Sequence, residues 1–575
     1  MRREVLHIAT AAAVLAGLAP SACTPQWKQT PHDQLFQREP VVALIGKPDK
    51  RKISDWWDRG TQIFVRPLGR VLSPGRLVEK VIGGRTAQDI NAFGAVPDSE
   101  WYQNRISRRP FSSEEAFAGA TRSTGPAVGA LHVISGKLNG ASPGFVVRDN
   151  DGIVWYLKLD PPASPELSTS AETISSRLLY LAGYHVAEIH ALDVEPRRFV
   201  IDQAATKRDK HNQKIPFTAT DLAQLVTPLN TDAQGRIRIL ASRQPEGEVL
   251  GPFDYRGTAT DDANDRIPHE ARRSLRGLWL FAAWINNTDT RNQNSLDMFR
   301  PVTADGRGIV RHYLLDFGNS FGATGTGEKS AGDGERHIVD WPDIGTNLVT
   351  FGLRYPPRFR RSPYRSVGLF ESKLFDPPDW SPNFRNPAFD ARQKADLFWA
   401  ASVLARIQPE HIRAAVAAGY LHEEGAAEYL VQTLLERRRK LLEYGFHHYL
   451  EIDEPRASGL TLVVDDLRAI GGLPSRGNVR YSVKWNHTRG RDVDLARGEV
   501  GTTGPVAATT AGAAPATATA TELRIDLSAA VASAHRTGGF DSDPFLTIEL
   551  HRGDAHATVH VRVVGDRLVP VAVER

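Results

Sequence analysis

Apolar and polar positions alternate with a period of two on either side of residues 150–152, which read Asn-Asp-Gly. Apolar runs at residues 145–148 and 153–159 flank this turn sequence, a pattern typical of a β-hairpin. The apolar positions then take a helical period over residues 170–182, and this predicted helix ends at a glycine. A further strand is predicted at residues 185–194.

Between residues 268 and 449 the pattern is mainly helical. A helix is predicted over residues 268–284, and it runs into the polar loop 285–294. A β-hairpin follows, whose second strand covers residues 308–315. Further helices are predicted at residues 390–406, 409–419 and 423–449.

From about residue 455 the alternation returns in short runs, which predict a small all-β, sandwich-like domain over residues 454–575. The runs are at residues 460–464, 479–485, 545–550 and 557–564. A linker rich in Ala, Thr and Gly interrupts this domain at residues 501–521. Near the start of the chain, residues 23–125 show little periodicity and are predicted to be an irregular lead segment.

The composition is that of a globular protein, since 41% of the 575 residues are hydrophobic and 24% are charged. At roughly 150 residues per domain, this length predicts three to four domains. A net charge of +4 is too small and dispersed for a dedicated nucleic-acid surface, so we predict no nucleic-acid partner. A single cysteine excludes a disulfide framework and a cysteine-ligated cluster.

That cysteine, Cys23, follows a secretory pattern. Two arginines precede an apolar stretch at residues 5–19, and Pro20-Ser21-Ala22 provides a small-residue exit, so residues 1–22 are predicted to be a signal peptide. The arrangement resembles that of bacterial lipoproteins, although Pro20 stands where their usual leucine would be. The resemblance implies lipidation at Cys23 and a membrane-anchored protein of the cell envelope that faces the periplasm or exterior, attached by lipid alone. Export without lipidation is the alternative.

The order of elements in the middle of the chain carries the functional hypothesis. A hairpin ends in Lys158, the next helix carries Glu172, a polar loop holds Asp289 and Asn294, and a second hairpin leads to Asp316-Phe317-Gly318. This order resembles that of protein kinases over residues 130–450. The resemblance implies an α+β fold with a two-lobed kinase-like core. Its β-rich N-lobe would cover residues 126–205 and its helical C-lobe residues 206–453.

The resemblance also implies a role for each polar residue. Lys158 would hold the α- and β-phosphates of ATP, and Glu172 would pair with that lysine. Asp316 would bind one Mg²⁺ and Asn294 a second. Asp289 would orient or deprotonate the acceptor hydroxyl, and Arg291 would place a cation near the transferred phosphate.

The predicted phosphate loop precedes the Lys158 hairpin, over residues 136–144. It lacks the G-x-G-x-x-G pattern, but its backbone N–H groups could cradle phosphates. Its candidate nucleotide-binding residues are Gly136, Lys137, Gly140, Ser142 and Gly144.

Two departures favour atypical kinase-like families. Asn287 and Thr288 stand where signalling kinases have His and Arg, so the loop lacks the arginine that would bind a phosphorylated activation loop. We therefore predict activity that does not depend on that switch. Together with the long connection from Asn294 to Asp316, this resembles the HipA toxins and the CotH-type and secretory-pathway kinases.

Structural explanations stay open for the same residues. Lys158 could be a solvated edge charge and Glu172 a favourable first-turn charge. Asp289, Asn294 and Asp316 could be turn formers. The basic and aromatic stretch at residues 354–361 is typical of nucleic-acid or substrate segments but also of a solvated loop. The cationic run at residues 437–440 is predicted to lie on the solvated face of its helix.

Two functions of different classes follow. The first is an exported phosphotransferase that uses Mg-ATP on an unknown hydroxyl of a protein, glycan or small molecule, with nucleotidyl transfer as a variant. The second is a non-catalytic, kinase-like lipoprotein that acts as a binding or scaffold module at the cell envelope. Five polar groups of the right types favour the enzyme, whereas the scarcity of ATP outside the bacterial cytoplasm favours the scaffold.

Overall fold

The computed structural model describes residues 38–51, 85–137, 143–209, 213–330, 332–335, 337, 362–485, 492–500 and 521–575. Several predicted features lie outside the described residues: the signal peptide, Cys23, Gly140, Ser142, the basic stretch 354–361 and residues 501–520 of the linker. The chain forms two compact units. A core unit lies within Phe36–Ile90 and Val96–His448, and a terminal unit includes Asn91–Ala95 and Tyr449–Arg575.

A seven-stranded sheet dominates the first half of the core unit. Its strands are β1 (Leu131–Lys137), β2 (Gly144–Arg148), β3 (Val154–Lys158), β4 (Ile189–Val194), β5 (Phe199–Arg208), β6 (Lys214–Pro216) and β7 (Ile237–Arg243). They lie in the order β4-β7-β3-β2-β1-β5-β6, and only the β1–β5 pair is parallel. The predicted hairpin is the β2–β3 pair, with Gly144 opposite Lys158. The sheet continues to Arg243, beyond the lobe boundary expected at residue 205.

Helices make up most of the remaining core unit. They are α1 (Ser113–Ala118), α2 (Leu167–Leu181), α3 (Ala219–Val226), α4 (Arg273–Trp284), α5 (Pro387–Asp390), α6 (Lys394–Arg406), α7 (Pro409–Ala417) and α8 (Ala426–Gly445). The helix predicted at residues 170–182 is α2, and the helix predicted at residues 268–284 is α4. Helix α4 starts five residues later than its pattern suggests, after a short 3₁₀ turn at His269–Ala271.

The start of α4 is set by the lead segment. Asp89 accepts hydrogen bonds from the backbone N–H groups of Arg273 and Ser274, and thus caps the helix. Trp101, also in the lead segment, stacks on His312 with ring centroids 3.5 Å apart. Apart from Asn91–Ala95, the described part of the lead segment therefore belongs to the packed core unit.

A second sheet is formed by one strand that precedes α4 and two strands that follow it. It contains β8 (Glu248–Gly251), β9 (Ser295–Pro301) and β10 (Gly308–Leu314), in the order β10-β9-β8. The predicted hairpin is β9–β10, with Ser295 opposite Leu314. This register places Asn294 and Leu315 side by side, and the Leu315 N–H donates to the Asn294 carbonyl at 3.0 Å. A small hairpin of β11 (Ala323–Thr324) and β12 (Gly327–Glu328) comes next.

The prediction of a solvated cationic face on α8 is wrong for two of its residues. Arg437 and Arg438 are only 2% and 5% exposed. Arg437 donates to the carbonyls of Trp284 and Ala283 at the end of α4, and Arg438 donates to the last carbonyls of α6. These helix ends expose carbonyls without intrahelical partners, and they attract cations. Burial lowers the pKa of Arg437 to about 9.

The terminal unit is built mainly from strands. They are β13 (Ile452–Ser458), β14 (Thr461–Asp466), β15 (Val479–Trp485), β16 (Val493–Val500), β17 (Glu522–Asp526), β18 (Phe545–Arg552), β19 (Ala555–Val564) and β20 (Arg567–Glu574). They form a three-stranded sheet, β13-β14-β17, and a five-stranded sheet, β16-β15-β18-β19-β20. The helices α9 (Leu467–Gly471) and α10 (Ser528–His535) were missed by the strand pattern. Apolar side chains from both sheets form one core.

The two units together give a mixed α+β architecture. In the described part of the chain, no helix combines the length and apolar character needed to cross a bilayer.

Replacing Arg437 by methionine tests the buried role of this cation. The substitution leaves the carbonyls of Ala283, Trp284 and Glu371 without this donor, so we expect a loss of about 2 kcal/mol or more in the free energy of unfolding. Arg439→Met is the matched control, because Arg439 lies exposed on the same helix and should change stability by less than about 0.5 kcal/mol. Urea titration of both variants measures the difference. Equal losses would contradict the assignment.

Candidate active site

Lys158 and Glu172 form an ion pair inside the core unit. Lys158 is the last residue of β3, and Glu172 lies in the second turn of α2. The Lys158 Nζ donates to both carboxylate oxygens of Glu172, at 3.0 and 2.8 Å. The Glu172 side chain is only 4% exposed, so this pair is not a surface contact. The two residues that the sequence pattern singled out separately are therefore in direct contact.

Helix α2 is held in this position from its first turn. The carboxylate of Asp160, two residues after Lys158, accepts the backbone N–H groups of Ser168 and Thr169 at 2.9 Å each. Arg238 of β7 donates to the side-chain hydroxyls of Thr169 and Ser170, also at 2.9 Å. The helix that carries Glu172 is thus attached to the strand that carries Lys158 and to the neighbouring strand.

Asp316 completes the cluster from the end of the β9–β10 hairpin. Its carboxylate Oδ1 lies 2.9 Å from the Lys158 Nζ, so one ammonium bridges two carboxylates. Asp316 has a left-handed backbone (φ 57°), which costs a non-glycine residue on the order of 1–3 kcal/mol. Strain of this kind is concentrated at functional sites. The next residue, Phe317, is buried.

The cluster shifts the pKa values of its members. Burial disfavours the charged form of Lys158, but Asp316 and Glu172 outweigh it and hold the pKa of Lys158 above its ordinary value. Burial raises the pKa of Glu172 to about 7, in spite of the neighbouring Lys158. Burial thus favours the neutral form of Glu172, whereas Lys158 favours its charged form.

The polar loop after α4 holds the other predicted residues. The Asn294 side-chain N–H donates to the Asp289 carbonyl at 2.7 Å, which fixes the orientation of the amide. Arg291 forms a two-point pair with Asp289, from Nε to Oδ1 at 2.6 Å and from Nη2 to Oδ2 at 3.0 Å. The Arg291 guanidinium also lies over the ring of Phe384. Arg291 thus contacts the carboxylate that was predicted to act on the acceptor.

The loop and the Lys158 cluster meet at the β9–β10 hairpin. Asn294 directly precedes β9, Asp316 follows β10 by two residues, and the Leu315–Asn294 backbone bond joins them. Asn319, just beyond Asp316-Phe317-Gly318, directs its side-chain N–H toward the Asp289 carboxylate at 3.5 Å. The Lys158 cluster and the Asp289 loop therefore lie side by side.

Close packing explains two of the glycines in the predicted phosphate loop. Gly136 and Lys137 end β1, and Gly144 begins β2. A Cβ on Gly136 would lie 2.1 Å from the ring of Phe217, and a Cβ on Gly144 would lie 2.1 Å from the Leu157 carbonyl oxygen. A side chain at either position would have to displace its neighbour, so packing accounts for a glycine at both.

The donor set suits a magnesium ion shared with phosphate oxygens. Within the described ranges, no three His, Cys, Asp or Glu side chains are grouped to hold a metal by themselves. Mg²⁺ rarely needs such a cage, because it binds through one or two protein oxygens together with substrate phosphates and water. The carboxylate of Asp316, which is 42% exposed, and the amide oxygen of Asn294 are ligands of this type.

Three residues escaped the sequence analysis. Asp160 could have been suspected, because Asp commonly precedes a helix. Asn319 follows the Asp-Phe-Gly motif but looks like a turn residue. Lys329, a buried lysine bonded to backbone carbonyls of this region, has no signal in the sequence.

No protein-family model and no curated protein matches the chain. Solved structures of kinases are similar to parts of it. The Helicobacter pylori proinflammatory kinase CtkA has 12% identity and a TM-score of 0.29, over 56% of this chain and 96% of its own. The Golgi casein kinase has 11% identity and a TM-score of 0.25, over 71% and 96%. The same kinase with Mn/ADP bound has 10% identity and a TM-score of 0.24, over 73% and 94%.

Lys158→Met should destabilise the protein more strongly at high pH. Glu172 then loses the cation that lowers its pKa, so its folded-state pKa rises further above the unfolded value of 4.5. A raised carboxyl pKa makes stability fall as pH rises toward that pKa. We therefore expect the loss relative to wild type to be about 1 kcal/mol larger at pH 8.5 than at pH 6.

Urea titrations at the two pH values measure this difference. Lys373→Met, at an exposed lysine, is the control and should show the same small effect at both. A pH-independent loss in Lys158→Met would contradict the coupling between Lys158 and Glu172.

Proposed function

We propose that the protein is a kinase-like phosphotransferase that moves the γ-phosphoryl group of Mg-ATP to a hydroxyl acceptor. The observation that carries the proposal is the Lys158 Nζ within hydrogen-bond distance of both Glu172 and Asp316. Phosphoryl transfer on a kinase-like core requires a strand lysine paired with a helix glutamate, next to an aspartate that binds the metal. Lys158, Glu172 and Asp316 would have these three roles. The seven-stranded sheet and the helices α4 and α6–α8 would be its two lobes.

The proposed role of Lys158 follows from its position. Its ammonium donates to both Glu172 and Asp316, and a bound nucleotide would place a phosphate oxygen where Asp316 accepts, while Glu172 would keep its own bonds to the lysine. Glu172 fixes the direction of the side chain, and the capped helix α2 fixes Glu172. Since Asp160 and Arg238 already attach α2 to the sheet, the helix needs no phosphorylated segment to bring it into place. This supports the predicted independence from an activation-loop switch.

Charge explains why a divalent cation belongs to the proposal. When ionised, Lys158, Glu172 and Asp316 carry a net charge of −1, and a triphosphate beside Asp316 would add several more negative charges. Asp316 and Asn294 would hold Mg²⁺ there. The ion would neutralise the charge that develops on the phosphate oxygens.

Asp289 would receive or orient the acceptor hydroxyl. Its pairing with Arg291 holds the carboxylate in a single orientation and keeps a cation close to the transferred group. Asn294 fixes the backbone of the same residue through the Asp289 carbonyl.

The cellular location is proposed on sequence grounds. Residues 1–22 would direct export, and a diacylglyceryl group on Cys23 would anchor the chain to the cell envelope. Metabolic labelling with radioactive palmitate tests this: label in the wild-type chain that disappears in Cys23→Ser supports the anchor. An unlabelled wild-type chain would reject it.

Phosphoryl transfer is tested on the chain without residues 1–22, with γ-labelled ATP and Mg²⁺ or Mn²⁺. We expect metal-dependent thermal stabilisation by nucleotide in the wild type, lost in Asp316→Asn and Lys158→Met. Asp289→Asn should keep nucleotide binding but slow phosphoryl transfer at least about a hundredfold, the scale of losing one essential catalytic group. Arg439→Met, on the exposed face of α8, serves as the control and should match the wild type.

Failure to bind nucleotide at millimolar concentration with either metal would reject the enzyme. The protein would then be a kinase-like binding or scaffold module. Binding without transfer to any acceptor, including water and the protein itself, would also count against catalysis.

A further inference from the structure

Lys329 lies directly after β12, and its side chain points back into the core unit. The residue is 6% exposed. Its Nζ donates to the carbonyl oxygens of Asn319 at 2.8 Å and Phe321 at 2.9 Å, and also to that of Asn286. All three donors of one ammonium group are therefore used by backbone carbonyls.

The three carbonyls belong to the two segments that flank the proposed chemistry. Asn286 begins the loop that carries Asp289, whereas Asn319 and Phe321 follow Asp316. Asn286 and Phe321 both have left-handed backbones, with φ of 51° and 50°. For a bulky residue such as Phe321, this conformation persists only when surrounding contacts impose it.

Other hydrogen bonds cross between the same two segments. The Phe321 N–H donates to the Ile285 carbonyl at 2.7 Å, and the Asn286 side-chain N–H donates to the Phe321 carbonyl at 3.0 Å. The Thr288 N–H lies 3.4 Å from the Asn319 carbonyl. Lys329 therefore sits at the centre of a cross-link between the Asp289 loop and the Asp316 segment.

We infer that Lys329 is a positioning residue that holds the loop bearing Asp289 against the segment bearing Asp316. The inference rests on the proposed function, because it assigns Lys329 to the alignment of that site. Thr288 occupies the place of the arginine that would bind a phosphorylated activation loop. An internal lysine that binds carbonyls makes the equivalent link without any modification.

The charge state of Lys329 affects this link. Burial lowers the pKa of Lys329 to about 7. Asp333 and Asp289 favour the charged form, whereas Arg437 opposes it. Above its pKa a neutral amine donates two hydrogen bonds instead of three, so the link should loosen as pH rises through neutrality.

Hydrogen exchange with mass spectrometry tests the link without requiring activity. The variant is Lys329→Met, and the matched control is Lys440→Met. Lys440 also donates to three carbonyls, those of Ser372, Lys373 and Phe375, and none of these residues belongs to the two segments that Lys329 links. We expect peptides that contain Thr288 and Phe321 to exchange at least tenfold faster in Lys329→Met and at wild-type rate in Lys440→Met.

Lys329→Gln is the second variant, since it retains two donors and does not titrate. Across pH 6–8, exchange corrected for its intrinsic pH dependence should increase in the wild type and stay flat in Lys329→Gln. If Lys329→Met does not fold, the pH dependence of exchange in the wild type and in Lys329→Gln tests the inference. An equal increase in both proteins would overturn it. Wild-type protection of both peptides in Lys329→Met would overturn the inference. An equal loss of protection in Lys440→Met would also overturn it.

Activity separates this inference from the proposed function. If the wild type transfers phosphate, Lys329→Met should lower kcat at least tenfold and leave the KM for nucleotide near that of the wild type. An unchanged kcat would overturn the positioning role. If the wild type transfers no phosphate while Lys329→Met loosens the loop, the proposed function fails and the link between the two segments stands.

Discussion

The site depends on one ammonium group that is shared by two carboxylates. Lys158 lies on a sheet strand, Glu172 on a helix and Asp316 just after a separate hairpin. The cluster therefore forms only when all three elements are packed together. A buried carboxylate such as Glu172 is costly unless a cation compensates it. The surrounding structure accordingly holds all three elements in place: Asp160 and Arg238 fix the helix, and the β9–β10 register fixes the residues around Asp316.

The pattern of apolar and polar positions correctly predicted those elements that depend on local interactions. The β2–β3 hairpin follows from apolar runs around Asn-Asp-Gly, and α2 and α4 follow from apolar positions at helical spacing. The pattern could not predict that β5 and β6 join the sheet beside β1, because sheet order depends on pairings between distant segments. It also missed α9 and α10, which are too short to show a period.

The candidate residues could be predicted from the order of their motifs along the chain. The contacts between them could be seen only in the structure. Nothing in the sequence distinguishes Lys329 from an exposed lysine, since its burial comes from a small hairpin that folds back onto the loop. The same limit explains Arg437 and Arg438. A cationic run on a helix normally faces solvent, but the unpaired carbonyls at the ends of α4 and α6 provide acceptors inside the core unit. In each case a buried cation binds backbone carbonyls, which no side-chain pattern reveals.

We propose that Asp316 and Asn294 hold a divalent cation beside a nucleotide bound by Lys158. A crystal structure of the chain with Mn²⁺ and a non-hydrolysable ATP analogue tests this proposal, because anomalous scattering locates manganese unambiguously. We expect an anomalous peak within bonding distance of the Asp316 carboxylate and the Asn294 amide oxygen, with a phosphate oxygen hydrogen-bonded to the Lys158 Nζ. Crystals that show manganese and nucleotide elsewhere, or neither at saturating concentration, would contradict it.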